Sequence, residues 1–363
     1  MTTICCISDC HLGYRHRLKV QRLKDYEASF NEALDAALKM GPSLLIFGGD
    51  ILHHTRPDPK SMQVLIKRLM EAADSVPCIF CIGNHEIETN LSSSYTPIFS
   101  DLHKNVHVLT TENPHILLEL DGKRVGVHGF QFTRDRKMAE ETLEKITAEV
   151  SGNDIDILCL HQAIEGYLEP HELSLSALRS VADKYDLILS GHVHKHQPIT
   201  EMTDVVPAYY LGSTERVSFN ESNNVTGFLA FKDMDFMHPK FVPVDSAPMR
   251  VVKADLGKKT PAEVNSIIKQ LIEENSDIKC LQISVSVDVV GDYFDIVHDW
   301  ESVYPNFTIL DVSVSSTAAE NNISLDRLEI SEAIFDEYFE KTGMGNRTEL
   351  KEMCRTLFRK YGA

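Results

Sequence analysis

No apolar run in this chain approaches the roughly 20 residues that a membrane-spanning helix needs. The start, Met1-Thr2-Thr3-Ile4, enters a strand directly, without the charged and long apolar regions of a secretion signal, so a cytoplasmic protein is expected. Internal repeats and low-complexity tracts are missing. Basic residues are the minority, 36 Lys and Arg against 54 Asp and Glu, and the net charge of −18 is the wrong balance for a protein that meets a polyanion over its whole surface. Of the eight cysteines, Cys5, Cys6, Cys78, Cys81 and Cys159 sit in apolar runs, and no second pair follows Cys78-Ile79-Phe80-Cys81 at zinc-finger spacing. They read as small core residues in a reducing compartment. At 363 residues the chain exceeds one ordinary core and suggests two or three domains.

What is present is a series of five short phrases: Asp9-Cys10-His11, Gly48-Gly49-Asp50, Gly83-Asn84-His85-Glu86, Leu160-His161-Gln162 and Gly191-His192-Val193-His194. Each follows a short apolar run: 4–7, 44–47, 78–82, 155–159 and 187–189. Such runs read as buried parallel strands, so the polar residues leave the carboxyl ends of five strands, where α/β sheets place their sites. Carboxylate, imidazole and amide oxygen suit Mn²⁺, Fe²⁺ or Zn²⁺, and the lack of thiolates argues against a closed structural zinc site. An aspartate can bridge two cations, which makes Asp50, central in the series, the expected bridge. Two ions roughly 3.5–4 Å apart can clamp a phosphoryl group and activate water, so the expected reaction is phosphate-ester hydrolysis.

The order D-x-H, G-D, G-N-H-E, H and G-H-x-H resembles the calcineurin-like metallophosphoesterases. Asp9-Cys10-His11-Leu12-Gly13-Tyr14, Gly49-Asp50-Ile51-Leu52-His53 with Arg56-Pro57, Leu160-His161-Gln162, His192-Val193-His194-Lys195 and Gly212-Ser213-Thr214-Glu215-Arg216 resemble one branch, the SbcD/Mre-type DNA double-strand-break repair nucleases, nearest their archaeal members. The specific motifs fall within residues 1–250. The resemblance implies that one Mn²⁺ is held by Asp9, His11, Asp50 and His194, and a second by Asp50, Asn84, His161 and His192, with Fe²⁺ or Zn²⁺ as substitutes. It implies that His85 donates the proton to the leaving group, a role suited to an imidazole. His53 matches the family histidine that contacts the phosphate, with His54 beside it as a competitor. Glu86 stands where many relatives carry aspartate.

The implied activity is Mn²⁺-dependent 3′→5′ double-strand exonuclease and single-strand endonuclease action with an SMC-like ABC ATPase of the SbcC type. The alternatives are a small-molecule phosphodiesterase or phosphatase of the same superfamily, and a catalytically silent scaffold. The eight motif positions speak against the scaffold. For DNA, the local charge matters more than the total: Arg15, Arg17, Lys19, Arg22 and Lys24 follow the first motif with no acid between His11 and Lys24, and Arg56, Lys195 and Arg216 follow other motif loops. This is the candidate DNA-binding rim.

The expected fold is α/β: a four-layer sandwich of two mixed sheets flanked by helices over 1–248, with helical spacing in 18–40, 58–74 and 133–150. Short strands around 205–212, 225–233 and 239–245 are expected to build the second sheet. A second small α+β domain is expected over 249–314, with strands at 250–256, 280–290 and 308–314 around a helix from about 261, where Pro261 suits a first turn; the resemblance implies that it caps the DNA. A linker at 315–323 leads to a helical hairpin over 324–363 that cannot bury both its apolar faces, Leu328/Ile330/Ile334/Phe335/Phe339 and Leu350/Met353/Leu357/Phe358, within itself; the resemblance implies that they dock on the ATPase, and the alternative is the chain's own nuclease domain. Stripes at Met62/Leu65/Ile66/Leu69/Met70 and Leu91/Ile98/Phe99/Leu102 mark two helices, around 61–73 and 91–103; such stripes are usually core, and the resemblance implies that these build the family's homodimer bundle.

Overall fold

The computed structural model describes residues 2–88, 91–316 and 352–356. The chain opens with β1 (Thr3–Ile7), α1 (Val20–Lys39), β2 (Leu44–Phe47), α2 (Pro59–Ala73), β3 (Cys78–Phe80), α3 (Phe99–Leu102) and β4 (Val106–Val108). It continues with β5 (His115–Leu120), β6 (Lys123–His128), α4 (Arg136–Ala148), β7 (Ile155–Leu160), α5 (Leu175–Val181), β8 (Leu187–Ser190), β9 (Gln197–Pro198) and β10 (Ala208–Tyr210). β11 (Gly227–Lys232), β12 (Lys240–Pro243), β13 (Met249–Lys259), α6 (Pro261–Glu274), β14 (Cys280–Val289) and β15 (Ile309–Ser316) complete the sheets among the described residues.

Two mixed six-stranded sheets stack face to face, in the orders β12-β11-β1-β2-β3-β4 and β5-β6-β7-β8-β10-β9. Alternation along each strand builds the layers. Ile4 and Cys6 of β1, with Ile79 and Cys81, meet Val125, Val127, Ile157 and Cys159 between the sheets. Cys5 and Ile7 face the other way, onto Phe30 and Leu34 of α1 and Leu65 and Leu69 of α2. On the far side Leu158, Leu160 and Ile188 pack on Leu143 and Ile146 of α4 and Leu178 of α5. Strands covered on both faces have no polar side to show, which is why they are continuous apolar runs. The five cysteines of those runs are buried free thiols, as expected of packing residues.

One expectation fails in its detail. The segments after Gly191 do not form the second sheet among themselves: β11 and β12 return to the first sheet, where β11 pairs antiparallel with β1, and only β9 and β10 join the second. The remaining strands of the second sheet include a hairpin, β5–β6, closed by Asp121-Gly122, both at positive φ. Asp-Gly between alternating apolar residues is a hairpin signal, and it was in the sequence to be read.

β13, β14 and β15 form a separate parallel sheet, with α6 crossing from β13 to β14. α6 begins at a capping box, Thr260 with Glu263, and Pro261 stands in its first turn. This unit is tied to the body by Arg17 to Asp311 (2.6 Å) and Lys19 to Glu301 (2.5 Å). β15 runs through Ser316, two residues into the stretch expected as linker. The expected hairpin of 324–363 lies outside the described residues except for 352–356, which are helical. No helix among the described residues is long and apolar enough to cross a membrane.

The 91–103 helix is a second correction. The segment is two 3-10 turns, Leu91–Ser93 and Thr96–Ile98, followed by the single turn α3. Pro97 lacks the N–H that a continuous helix would use, and three serines precede it. α2 is formed as expected, starting on Asp58, whose side chain accepts the Lys60 and Ser61 N–H groups.

Candidate metal centre

The five phrases converge where the two sheets meet. Asp9 and His11 leave β1, Asp50 leaves β2 and Asn84 and His85 leave β3; His161 and His192 leave β7 and β8 of the facing sheet. Asp9, His11, Asp50 and His192 all adopt positive φ, between 48° and 79°. Such backbone is costly for non-glycine residues and persists only where surrounding structure holds it. Here the loops hold one another: Asp9 N–H donates to Gly49 O and His11 N–H to Asp50 O, at 3.0 and 2.9 Å. A Cβ on Gly83 would collide with the Asp50 carboxylate, and one on Gly49 with the His161 ring. Glycine at these positions lets the donors close in.

Two groups of donors result. Asp9, His11 and His194 form one, and Asp50, His161 and His192 the other, the ligand atoms of each lying within 4.8 Å of one another. Asn84 Oδ1 joins the second at 3.2 Å from His161 Nε2, which stands 3.3 Å from Asp50 Oδ2. Asp9 Oδ1 reaches toward both groups, 3.6 Å from His194 Nε2 and 4.0 Å from His161 Nε2. Oxygen and imidazole nitrogen without thiolate, in two adjacent clusters, fit two borderline divalent cations.

The ring orientations are set from behind. His161 Nδ1 donates to Gly48 O at 2.8 Å and so turns Nε2 into the site. His194 Nδ1 is held by Glu221 Oε1 at 3.1 Å. His85 Nδ1 donates to the His53 carbonyl at 3.0 Å, leaving Nε2 free. His53 is buried, its Nδ1 3.0 Å from His11 Nδ1, and its ring lies between Tyr14 (centroids 3.9 Å apart) and His85 (4.4 Å). His54 is exposed and meets His53 edge-on. His11, His53 and His85 make a third close group.

Charges inside so buried a site redistribute protons. Burial alone would lower His161, but Asp50 and Asp9 outweigh it and raise it to about 10; Glu221 and Asp9 likewise raise His194 to about 9. Burial lowers His192 and His53 to about 3, reinforced by neighbouring histidines. Burial raises Asp9, whereas for Asp50 the attraction of His161 overcomes burial and lowers it. A cation needs neutral imidazole, so in metal-free protein it must displace the protons on His161 and His194. Mn²⁺ affinity is therefore expected to rise steadily from about pH 6 to about pH 9, with proton release on binding. Calorimetry in buffers of different ionisation enthalpy checks this, and a pH-independent affinity contradicts it.

Glu86, noted in the sequence without a role, accepts four backbone N–H groups: Asp50, Ile51, Leu52 and Gly83, at 3.0 to 3.1 Å. It ties the Asp50 loop to the Asn84 loop. Burial and Asp50 push its carboxyl up to about 7 against those hydrogen bonds. Replacing it by alanine orphans several buried donors at ~1–3 kcal/mol each, so a loss of about 3 kcal/mol is expected. Urea unfolding of metal-free protein measures it, and an unchanged midpoint would refute the role.

Half of the expected basic rim is occupied elsewhere. Arg22 has a fully buried side chain paired with Asp25 and Glu215. Arg216 donates to Asn224 O, Ser246 Oγ and Ala247 O and holds the segment before β13. Neither guanidinium is free for a phosphate, which corrects their assignment to DNA. Arg17 and Lys19 pair with Asp311 and Glu301. Arg15, Lys24, Arg56 and Lys195 are exposed.

The sequence pattern that defines the calcineurin-like phosphoesterases matches residues 2–196. Among curated proteins, the DNA double-strand break repair protein Mre11 of Methanocaldococcus jannaschii is 26% identical over 219 residues, 59% of this chain and 57% of that one. Its namesakes in Methanopyrus kandleri (24% over 230 residues, 61% and 50%) and Thermoplasma acidophilum (26% over 226 residues, 60% and 57%) are similar. The matches thus span little more than half the length of these relatives. A solved dimetal phosphatase from Danio rerio aligns at 11% identity with a TM-score of 0.45, over 63% of this chain and 91% of that one, too loosely to bear on the reading.

Proposed function

The chain belongs to the calcineurin-like phosphoesterase family, and from that premise we propose that it is a two-cation DNA nuclease of the SbcD/Mre type. It would act on double-strand breaks as a 3′→5′ exonuclease and single-strand endonuclease, with Mn²⁺ as the working metal. The observation that carries the hydrolytic part is the pair of His/Asp groups at the facing strand ends, flanked by His53 and His85. The DNA part is supported by the names of the relatives.

Two cations, one on Asp9, His11 and His194, the other on Asn84, His161 and His192, with Asp50 between, would polarise the phosphoryl oxygens and activate water. The side chains do the rest. His53, its ring between those of Tyr14 and His85, would contact the phosphate. His85, anchored through Nδ1 to the His53 carbonyl, has Nε2 available to give a proton to the leaving oxygen. Arg15, Arg56 and Lys195 are the exposed cations that would meet the DNA backbone.

The homodimer is proposed through α2 and the 91–102 segment, where Tyr95 and Ile98 are about half exposed (48% and 50%) beside Met62 and Ile66. The proposed second partner is an SMC-like ABC ATPase of the SbcC type, docking on 324–363. One observation favours the runner-up, a small-molecule phosphodiesterase: four of eight rim cations are engaged within the protein on a chain of net charge −18. The deciding experiment gives Mn²⁺-loaded protein a labelled duplex, a labelled single strand and a chromogenic small phosphodiester in parallel. Degradation of duplex from its 3′ ends supports the nuclease. Turnover of the small ester with both DNAs intact supports the runner-up.

A further inference from the structure

We infer that the single turn Phe219–Glu221 sets the position of His194 as a cation ligand and ties that position to the third sheet. Glu221 is then a positioning residue for one of the two cations, and Phe219 its anchor. This rests on the reading of the two donor groups as cation sites.

An ionised carboxylate only accepts, so the 3.1 Å contact of Glu221 Oε1 with His194 Nδ1 makes that nitrogen the donor and turns Nε2 toward Asp9 and His11. The carboxylate is itself held: Val217 N–H donates to Oε2 at 2.8 Å and Ser218 Oγ to Oε1 at 3.3 Å. The second group is oriented independently, because His161 uses the Gly48 carbonyl. A change at Glu221 therefore reaches the Asp9/His11/His194 group and spares the other.

Two residues before Glu221, Phe219 is buried in a cluster with Met249, Cys280 and Ile309, one residue from each strand of the third sheet. Further up the chain Arg216 grips Ser246 and Ala247, which lead into β13. One short turn thus has its aromatic side chain in the third sheet and its carboxylate on a site histidine. Side chains that orient a ligating imidazole are typically worth 10–100-fold in metal affinity.

The experiment is Mn²⁺ titration of the full chain, read by electron paramagnetic resonance as free ion and as the spin-coupled pair. The parental protein is expected to take two ions. Glu221→Gln is expected to weaken one of them roughly 10–100-fold, replacing the coupled signal by a mononuclear one, with the other unchanged. Glu221→Asp, which keeps the charge and loses the reach, should weaken the same ion, and Phe219→Ala should do so to a smaller extent. Fewer than two ions on the parental protein would sink the cation-site reading itself. Two ions on the parental protein and parental affinity in Glu221→Gln or Glu221→Asp, or equal loss at both sites, would overturn the positioning role. Parental affinity in Phe219→Ala would overturn the tie to the third sheet. Should Glu221→Gln fail to fold, the aspartate and alanine variants still decide.

Discussion

Asp50→Asn is expected to lower phosphodiester hydrolysis to less than about one-thousandth of the parental rate, since cation charge and water activation are lost together. Asp50 is almost fully buried, belongs to the group with His161 and His192, and accepts the His85 N–H at 2.8 Å. An amide of the same size preserves the packing but gives up the negative charge, and either its NH₂ faces His161 Nε2 or its lone oxygen must serve every partner. Folding should survive, because the backbone contacts of Asp50 with His11 and Glu86 do not involve its carboxylate. Calorimetric titration should show at least one ion lost. Parental hydrolysis by this variant would end the two-cation account.

His85→Ser is expected to lower the rate by about 10²–10⁴-fold, the usual worth of a positioned proton donor. Both cations should stay bound, since His85 Nδ1 is engaged by the His53 carbonyl and Asn84, not His85, stands against His161. The deficit should shrink with substrates whose leaving group needs no proton, such as nitrophenolate. A full-rate serine variant would remove the proton-donor role. Loss of an ion would make His85 a ligand, within the close group His11/His53/His85.

The donor set was legible in the sequence because one local rule governs it: a buried apolar strand ends, glycine or a polar turn follows, and a ligand residue steps out. The rule says nothing about what stands behind the ligands. Glu221 supports His194 from 27 positions away on an irregular turn with no periodic pattern, so no sequence signal marks it. Glu86 was visible, but not its four backbone partners, which depend on how two loops approach.

Charge was misread for a similar reason. A run of cations in sequence looks like a rim, and only the fold brings Asp311 to Arg17 from 294 residues away, or buries Arg22 against Glu215. Strand existence is easier to read than sheet membership: β11 and β12 are expected as strands, but the return of β11 to the side of β1, with β12 beside it, is a tertiary choice. The broken 91–102 segment shows that apolar spacing does not guarantee a helix when Pro97 and three serines interrupt it.

Anomalous diffraction at the manganese edge from Mn²⁺-soaked crystals tests the central claim most directly. Two peaks are expected roughly 3.5–4 Å apart, one against Asp9, His11 and His194, the other against Asn84, His161 and His192, with Asp50 touching both. A single peak, or one seated instead on His11, His53 and His85, would contradict it.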